Sequence, residues 1–447
     1  MTVALKKKVL IITYYWPPAG GPGVQRVLKF AKYLPQFGWQ PIILTVEDGE
    51  YPAVDESLIN DIHPDCIIFK TKSLEPNSIY KKFTGLPLNT SIPVAVLSEK
   101  NLNWKKRFAH WIRLNLFIPD AKIGWIPFAV HRGKKIIKNL NPEVIFSSSP
   151  PPTVHLIAKK LSKWSHKKWI ADFRDPWTDI HYYEDSPRNY FSDRMDNKLE
   201  RSVLYFANVV SCISQMDIEM DFSRKINLSK CINIPNGFDE EDFSLLPANI
   251  EPKQKKFNLL HLGTVNKERI PLNLFKSIHN LYRKGVLSPE NFKLTFIGKT
   301  EPCITDSVIQ FNILDMVEFI SYLPHHKAIQ KSQSATVMLL LITQSDKNIR
   351  ILPGKTFEYL RLGKKILGLG PENGEVARIL SNSKSGKIIN YHNSDKIESE
   401  LKELFLKWQN KTLFYSPDLK TVELYTRKNL TKQLVRVFEE LEQYNAA

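Results

Sequence analysis

Ala335-Thr336-Val337-Met338-Leu339-Leu340-Leu341-Ile342, then Gly354-Lys355-Thr356-Phe357-Glu358-Tyr359-Leu360, then Lys365-Ile366-Leu367-Gly368-Leu369 reads as strand, short helix, strand. The unbroken first apolar run suits a strand covered on both faces, the habit of parallel sheets. The helix begins near Gly354, with Lys355 in its first turn and Glu358 one turn on. A first turn has free N–H groups and the positive end of the helix dipole, which favours phosphate. Lys355 adds a full charge, and Glu358 offers a carboxylate for the two hydroxyls of a ribose. The segment is therefore a candidate receptor for a nucleoside diphosphate. It also reads as an ordinary unit of an α/β sheet with Glu358 solvated.

Outward from that segment the same alternation fills the chain. Strands are predicted near 8–14, 40–46, 66–70, 143–148, 168–172, 208–213 and 230–234, with helices over 24–36, 127–139, 153–164 and 191–206. Pro235-Asn236-Gly237-Phe238-Asp239 is a turn sequence, and 247–256 is polar and charged. The alternation restarts at Phe257-Asn258-Leu259-Leu260-His261-Leu262-Gly263 and continues with strands near 292–298, 317–320, 335–343, 365–369 and 386–390. The fold class expected is α/β, with two doubly wound Rossmann-like domains facing each other across a cleft. The first spans 1–240 with an insertion over about 73–126, the second 241–420. A last helix over 421–447 has packing back on the first domain as one option.

The size, 447 residues, suits two cores rather than one. Neither a disordered chain nor a membrane-spanning one fits a 43% hydrophobic, 24% charged composition in which no apolar run reaches about 18 residues. Lys6-Lys7-Lys8 before Val9–Thr13 imitates a signal peptide, but the apolar part is short, β-branched and ends in Pro17-Pro18, so it reads as the first strand. Cys66, Cys212, Cys231 and Cys303 are isolated, with Cys66 and Cys212 inside predicted strands. That spacing points to reduced thiols in a cytoplasm and away from a zinc site. The net charge of +17 calls for an anionic partner. A nucleic-acid-binding protein is the rival class it raises, but the basic residues are dispersed and no zinc finger, RRM core or basic arm is present.

Three further clusters carry chemistry. After the first strand, Gly20-Gly21-Pro22-Gly23 leads into a helix, a turn that lets backbone approach a ligand, although the spacing is not that of a dinucleotide site. Gly263-Thr264-Val265-Asn266-Lys267-Glu268-Arg269 opens the second domain in the same way, with Gly263 for close approach and Lys267 or Arg269 for phosphate oxygens. Asp172-Phe173-Arg174-Asp175-Pro176-Trp177 ends a first-domain strand beside Ser147-Ser148-Ser149 and His155. These charges either pair among themselves or bind hydroxyls; Asp172 and Arg174 are the acceptor-binding candidates and Asp175 the catalytic one. Within the insertion, Trp104, Phe108, Trp111, Ile112 and Asn115 share a helical face flanked by Lys105, Lys106 and Arg113. Such a face suits a membrane headgroup region, or packs on its own domain with the basic side chains snorkelling.

Taken with the Gly20–Gly23 turn, Pro235-Asn236-Gly237, Gly263 and the Gly354–Glu358 helix, the chain resembles the family 4 retaining glycosyltransferases of GT-B architecture along nearly its whole length. The Asp172–Trp177 stretch resembles a bacterial branch of that family, one that assembles surface polysaccharide. The resemblance implies that Glu358 holds the donor ribose and that Lys355 with Arg269 or Lys267 holds the diphosphate, with Gly354 at the helix start. The Gly20-Gly21 loop would close over the phosphates. It further implies a nucleotide-sugar donor, a glycan or lipid-linked acceptor, a cytoplasmic enzyme at the inner face of a membrane, and retention of configuration. No metal cofactor is expected, because Lys355 and Arg269 supply the charge and no strand ends in Asp-x-Asp. The chain departs from the family at two places. Arg350 stands where a glutamate eight residues before Glu358 commonly touches the donor sugar, which raises a non-catalytic sugar-binding relative as the alternative. Ser147-Ser148-Ser149 stands where many members carry a histidine, and His155, farther along, is given no catalytic role.

Overall fold

β1 (Lys7–Ile12) carries two apolar faces at once, and the register of its neighbours explains why. Leu10 and Ile12 point into one core with Ile42, Leu44, Ile145 and Trp169, while Val9 and Ile11 point into another with Ile43, Val144 and Phe146. A strand covered on both sides cannot alternate polar and apolar residues, so its sequence reads as an unbroken run.

In the computed structural model, residues 6–51, 53–74, 111–179, 188–244, 255–345 and 347–446 are described. They form two compact units, Met1–Pro235 with Arg427–Ala447, and Asn236–Thr426. The first unit adds β2 (Trp39–Val46), β3 (Ile67–Thr71), β4 (Val144–Ser149), β5 (Lys168–Phe173), β6 (Val209–Cys212) and β7 (Cys231–Asn233). All pair in parallel in the order β3-β2-β1-β4-β5-β6-β7. One face is covered by the helices Ile126–Leu140, Thr153–Ser165 and Tyr190–Phe206, the other by Pro22–Tyr33 and Arg427–Ala446. The last helix buries Leu434 and Phe438 on that face, with the Phe438 ring 4.9 Å from Trp39. Burial of one such aromatic contributes roughly 1.5–3 kcal/mol.

The second unit holds β8 (Phe257–Leu262), β9 (Phe292–Ile297), β10 (Val317–Ile320), β11 (Val337–Leu341), β12 (Lys365–Leu369) and β13 (Gly386–Ile389), parallel in the order β10-β9-β8-β11-β12-β13. Both expected doubly wound domains are therefore present. In each the strand order reverses once, between β1 and β4 and between β8 and β11. The crevice outside the carboxyl ends of such a pair is where ligands bind in open α/β sheets.

The ladders trim several expected boundaries. Cys66 lies just before β3 and not within it, because its N–H closes a turn on the His63 carbonyl (2.9 Å) and pairing starts at Ile67. The first helix ends at Tyr33, and a 3-10 turn over Leu34–Phe37 carries the chain to Gly38. Residues 75–110 lie outside the described set, so the expected amphipathic helix is visible only as residues 111–116.

Candidate functional site

Gly263 leaves β8 with φ +119°, a conformation that favours glycine, and its open α-carbon faces the Lys355 side chain. Lys355 opens the Lys355–Leu362 helix behind Gly354. Tyr359 fixes that helix against the strand, its hydroxyl accepting the Leu262 N–H at 2.8 Å. The Lys355 ammonium lies 3.4 Å from His261 Nε2. His261 Nδ1 is 2.9 Å from the Leu339 carbonyl, which can only accept, so Nδ1 carries the proton and Nε2 turns a lone pair to Lys355. Burial, then the Lys355 charge, holds His261 neutral, well below the usual histidine range.

Arg269 approaches from the loop after β8. Its Nε donates to Thr343 Oγ1 at 3.0 Å, and the Gln344 N–H holds the Glu268 carbonyl at 2.8 Å, so the loops after β8 and β11 are tied together. Burial, and next the Arg269 charge, lowers the Lys355 pKa from 10.5 to about 7, with Glu358 opposing. Two cations thus converge beside a bare glycine, and an anion would relieve their repulsion. Lys267 sits in the same 3-10 turn with its side chain exposed. Glu358, one turn beyond Lys355, is paired with His325, Nε2 to Oε1 at 3.0 Å. Arg350 is buried in the turn Asn348–Arg350. His261, Thr343 and His325 escaped the sequence reading: His261 is hidden in an apolar strand, and the other two are remote in sequence from the groups they meet.

The first unit divides the Asp172–Trp177 cluster. Asp172 is 0% exposed and faces Arg26, which donates from Nε (2.9 Å) and Nη2 (2.8 Å). Ser148 and Ser211 hydroxyls donate to the same carboxylate at 2.6 and 2.7 Å. Four donors occupy its four lone-pair positions, so none remains for an acceptor hydroxyl, and the acceptor-binding role expected for Asp172 is corrected to a structural one. Burial alone would raise this carboxyl; Arg26 and the two hydroxyls outweigh it and hold it below the usual range. Arg174 and Asp175 are part-buried and pair with each other, Nη2 to Oδ2 at 2.6 Å. The Arg174 guanidinium also lies against Gly23, where a β-carbon would be 3.0 Å from Nη1. The glycine turn and the Arg174–Asp175 pair are therefore neighbours. Gly20 packs against Asp55, and Gly21 (φ +85°) caps the Pro22–Tyr33 helix with open space around it. His155 is buried in the Thr153–Ser165 helix, stacked on Phe173 and hydrogen-bonded to Ser147 at 2.8 Å. Burial brings its pKa down to about 3. Asp193 and Asp196 lie within the Tyr190–Phe206 helix. Among the described residues no group of three or more His, Cys, Asp or Glu side chains is gathered as metal ligands.

No protein-family model matches the chain, and no curated protein matches it. Solved structures do. A sucrose-phosphate synthase from Thermosynechococcus elongatus superposes with a TM-score of 0.66 at 14% identity, over 99% of this chain and 100% of that one. HepE from Anabaena, solved with UDP and glucose, gives 0.62 at 11% identity over 97% and 100%. A glycosyltransferase from Rickettsia africae gives 0.60 at 14% identity over 98% of each chain. The fold is GT-B. At these identities the likeness concerns the fold alone.

Proposed function

We propose that this protein is a glycosyltransferase that moves a sugar from a nucleoside-diphosphate sugar to a hydroxyl group. The carrying observation is the convergence of Lys355 and Arg269 beside Gly263 at the β8/β11 switch point, with Glu358 one helical turn away. As the C1–O bond of the donor breaks, positive charge grows on the sugar and negative charge on the departing diphosphate. Lys355 and Arg269 stabilise the latter, and fixed cations aimed at developing charge are usually the largest catalytic contribution. Glu358 accepts the ribose hydroxyls once His325 yields it. The binding of UDP and UDP-glucose by HepE, a protein of the same fold, supports a nucleotide-sugar donor.

In this reading the enzyme is a retaining, hexosyl-type member of family 4 and needs no metal ion. Arg174 orients the acceptor and Asp175, half-buried with one oxygen held by Arg174, is its catalytic carboxylate. The acceptor is a glycan or lipid-linked intermediate of bacterial surface polysaccharide, met at the cytoplasmic face of the membrane. No helix among the described residues is long and apolar enough to cross a bilayer, which suits peripheral attachment.

A thermal-shift screen against UDP, GDP, ADP, CMP and dTDP, followed by donor hydrolysis with and without EDTA, tests it. One nucleotide should stabilise the protein by roughly 2.7 kcal/mol at a hundredfold excess over Kd. Hydrolysis should persist in EDTA. No shift with any of them sinks the donor assignment, and a strict requirement for Mg²⁺ or Mn²⁺ sinks the metal-free mechanism.

A further inference from the structure

The three helices on one face of the first sheet have an unusual outer side. Ile126–Leu140 and Thr153–Ser165 carry seven Lys and Arg residues between them and no carboxylate. Tyr190–Phe206 adds Arg194, Lys198 and Arg201; of its acids Asp196 and Glu200 are buried, leaving Asp193 exposed. None of these ten cations is paired with a carboxylate among the described residues, and Lys159 is lowered in pKa by burial and then by Lys163 and Lys160. The concentration of charge here is a property of the fold: in the sequence the same residues look dispersed.

Exposed apolar groups are interleaved with these charges. Lys163 Nζ stands 3.6 Å and Lys159 Nζ 5.0 Å from the centre of the exposed Phe206 ring, and Lys134 Nζ 5.2 Å from Trp164. At 100° per residue, Phe191, Met195, Lys198, Tyr205 and Phe206 share the outward side of their helix, with Phe191 70% and Tyr205 72% exposed. The stripe continues onto residues 111–116. Asn115 accepts the Asn189 N–H at 2.8 Å and its carbonyl accepts the Ser192 hydroxyl at 2.9 Å, and exposed Trp111 and Leu116 flank it.

We infer that the outer face of this three-helix layer docks on an anionic lipid bilayer. A water-soluble polyanion would satisfy the cations and leave Phe191, Met195, Tyr205 and Leu116 in water. An anionic headgroup layer over acyl chains takes both, ammonium groups at phosphate level and aromatic rings just beneath. The inference rests on the proposed function only for why the protein visits a membrane; binding is measured without donor or acceptor.

Co-sedimentation with vesicles of phosphatidylglycerol and phosphatidylcholine, against phosphatidylcholine alone, is the measurement. The wild type should bind only the anionic vesicles. Lys138→Glu/Lys160→Glu/Lys163→Glu should weaken binding by at least roughly a hundredfold, since losing each cation near an anionic surface costs about fivefold and each new carboxylate adds repulsion. The control Lys428→Glu/Lys432→Glu/Arg436→Glu makes the same charge change on the Arg427–Ala446 helix, which covers the opposite face of the sheet, and should bind within about threefold of wild type. Phe191→Ser/Met195→Ser should lose binding at unchanged charge, with thermal midpoints confirming that every variant is folded. The inference is overturned if wild type ignores anionic vesicles, or if both charge triples lose binding alike. Tighter binding to a DNA duplex than to vesicles, insensitive to Phe191→Ser/Met195→Ser, would assign the face to a polyanion instead.

Discussion

A β-carbon on Gly263 would sit 2.6 Å from the Lys355 ammonium nitrogen. The glycine at the end of β8 is thus what allows the lysine of a helix 92 positions later to reach the crevice at the switch point. Gly263→Ala should displace Lys355 and strain a backbone held at φ +119°. Strain of this kind costs about 1–3 kcal/mol. The expected outcome is a lower thermal midpoint and at least a tenfold loss of nucleoside-diphosphate affinity by calorimetry, the scale of one charge-assisted hydrogen bond. Affinity unchanged in a folded variant would remove Lys355 from the phosphate site.

Lys355 also makes nucleotide binding pH-dependent, with a definite sign. In the free protein its pKa is lowered to about 7, chiefly by burial. A bound diphosphate favours the charged form and raises that value, so at pH above 7 binding takes up a proton. Affinity should therefore fall as pH rises from about 7 toward 9 and stay level below 7, where Lys355 is already charged. Calorimetry in buffers of different ionisation enthalpy at pH 8 should show proton uptake, and Lys355→Met should abolish it.

Glu358 is engaged by His325 in the absence of ligand, Nε2 to Oε1 at 3.0 Å. A ribose must displace that contact. His325→Ala should leave affinity unchanged or raise it severalfold, while Glu358→Ala should weaken it by about 1.5–3 kcal/mol, the range for a hydrogen bond to a charged group. Equal losses in both variants would instead make His325 a direct ligand contact.

The contrast between Lys355 and Asp172 shows what the sequence can carry. Strands such as Val337–Leu341 were legible because burial on both faces demands an apolar run, and the helix bearing Lys355 and Glu358 follows directly from one. Local order in the chain then sets local geometry. Asp172 and Arg26 are 146 residues apart, and nothing local in Asp172-Phe173-Arg174-Asp175 distinguishes the acid that turns into the sheet from the one that stays outside. The end of the strand decides it: Asp172 is still within β5 and faces Arg26, and Asp175 lies past its end. His261 is hidden for the same reason, a polar group spaced like its apolar neighbours.

That buried pair supplies the last test. Besides Asp172, Arg26 donates to the carbonyls of Ile234 and Pro235 at 2.8 and 2.9 Å, so one side chain joins the helix after the glycine turn, the end of β5 and the last residues of the first unit's long segment. Removing it leaves a carboxylate with no solvent and half its donors. Arg26→Ala should cost about 3–5 kcal/mol, whereas Arg26→Met/Asp172→Leu should recover much of that, since apolar groups of similar volume leave no charge to compensate. The pH dependence has its own sign. A carboxyl held below its ordinary value stabilises the fold above that value, and the contribution disappears as pH falls through the folded pKa. The wild-type advantage over the double variant should therefore shrink in acid. Urea unfolding followed by tryptophan emission reads the first unit almost alone, because every tryptophan except Trp408 lies before Pro235. A loss below about 1 kcal/mol for Arg26→Ala, the scale of an exposed ion pair, would mean that water reaches Asp172 and that the network is not the anchor of this unit.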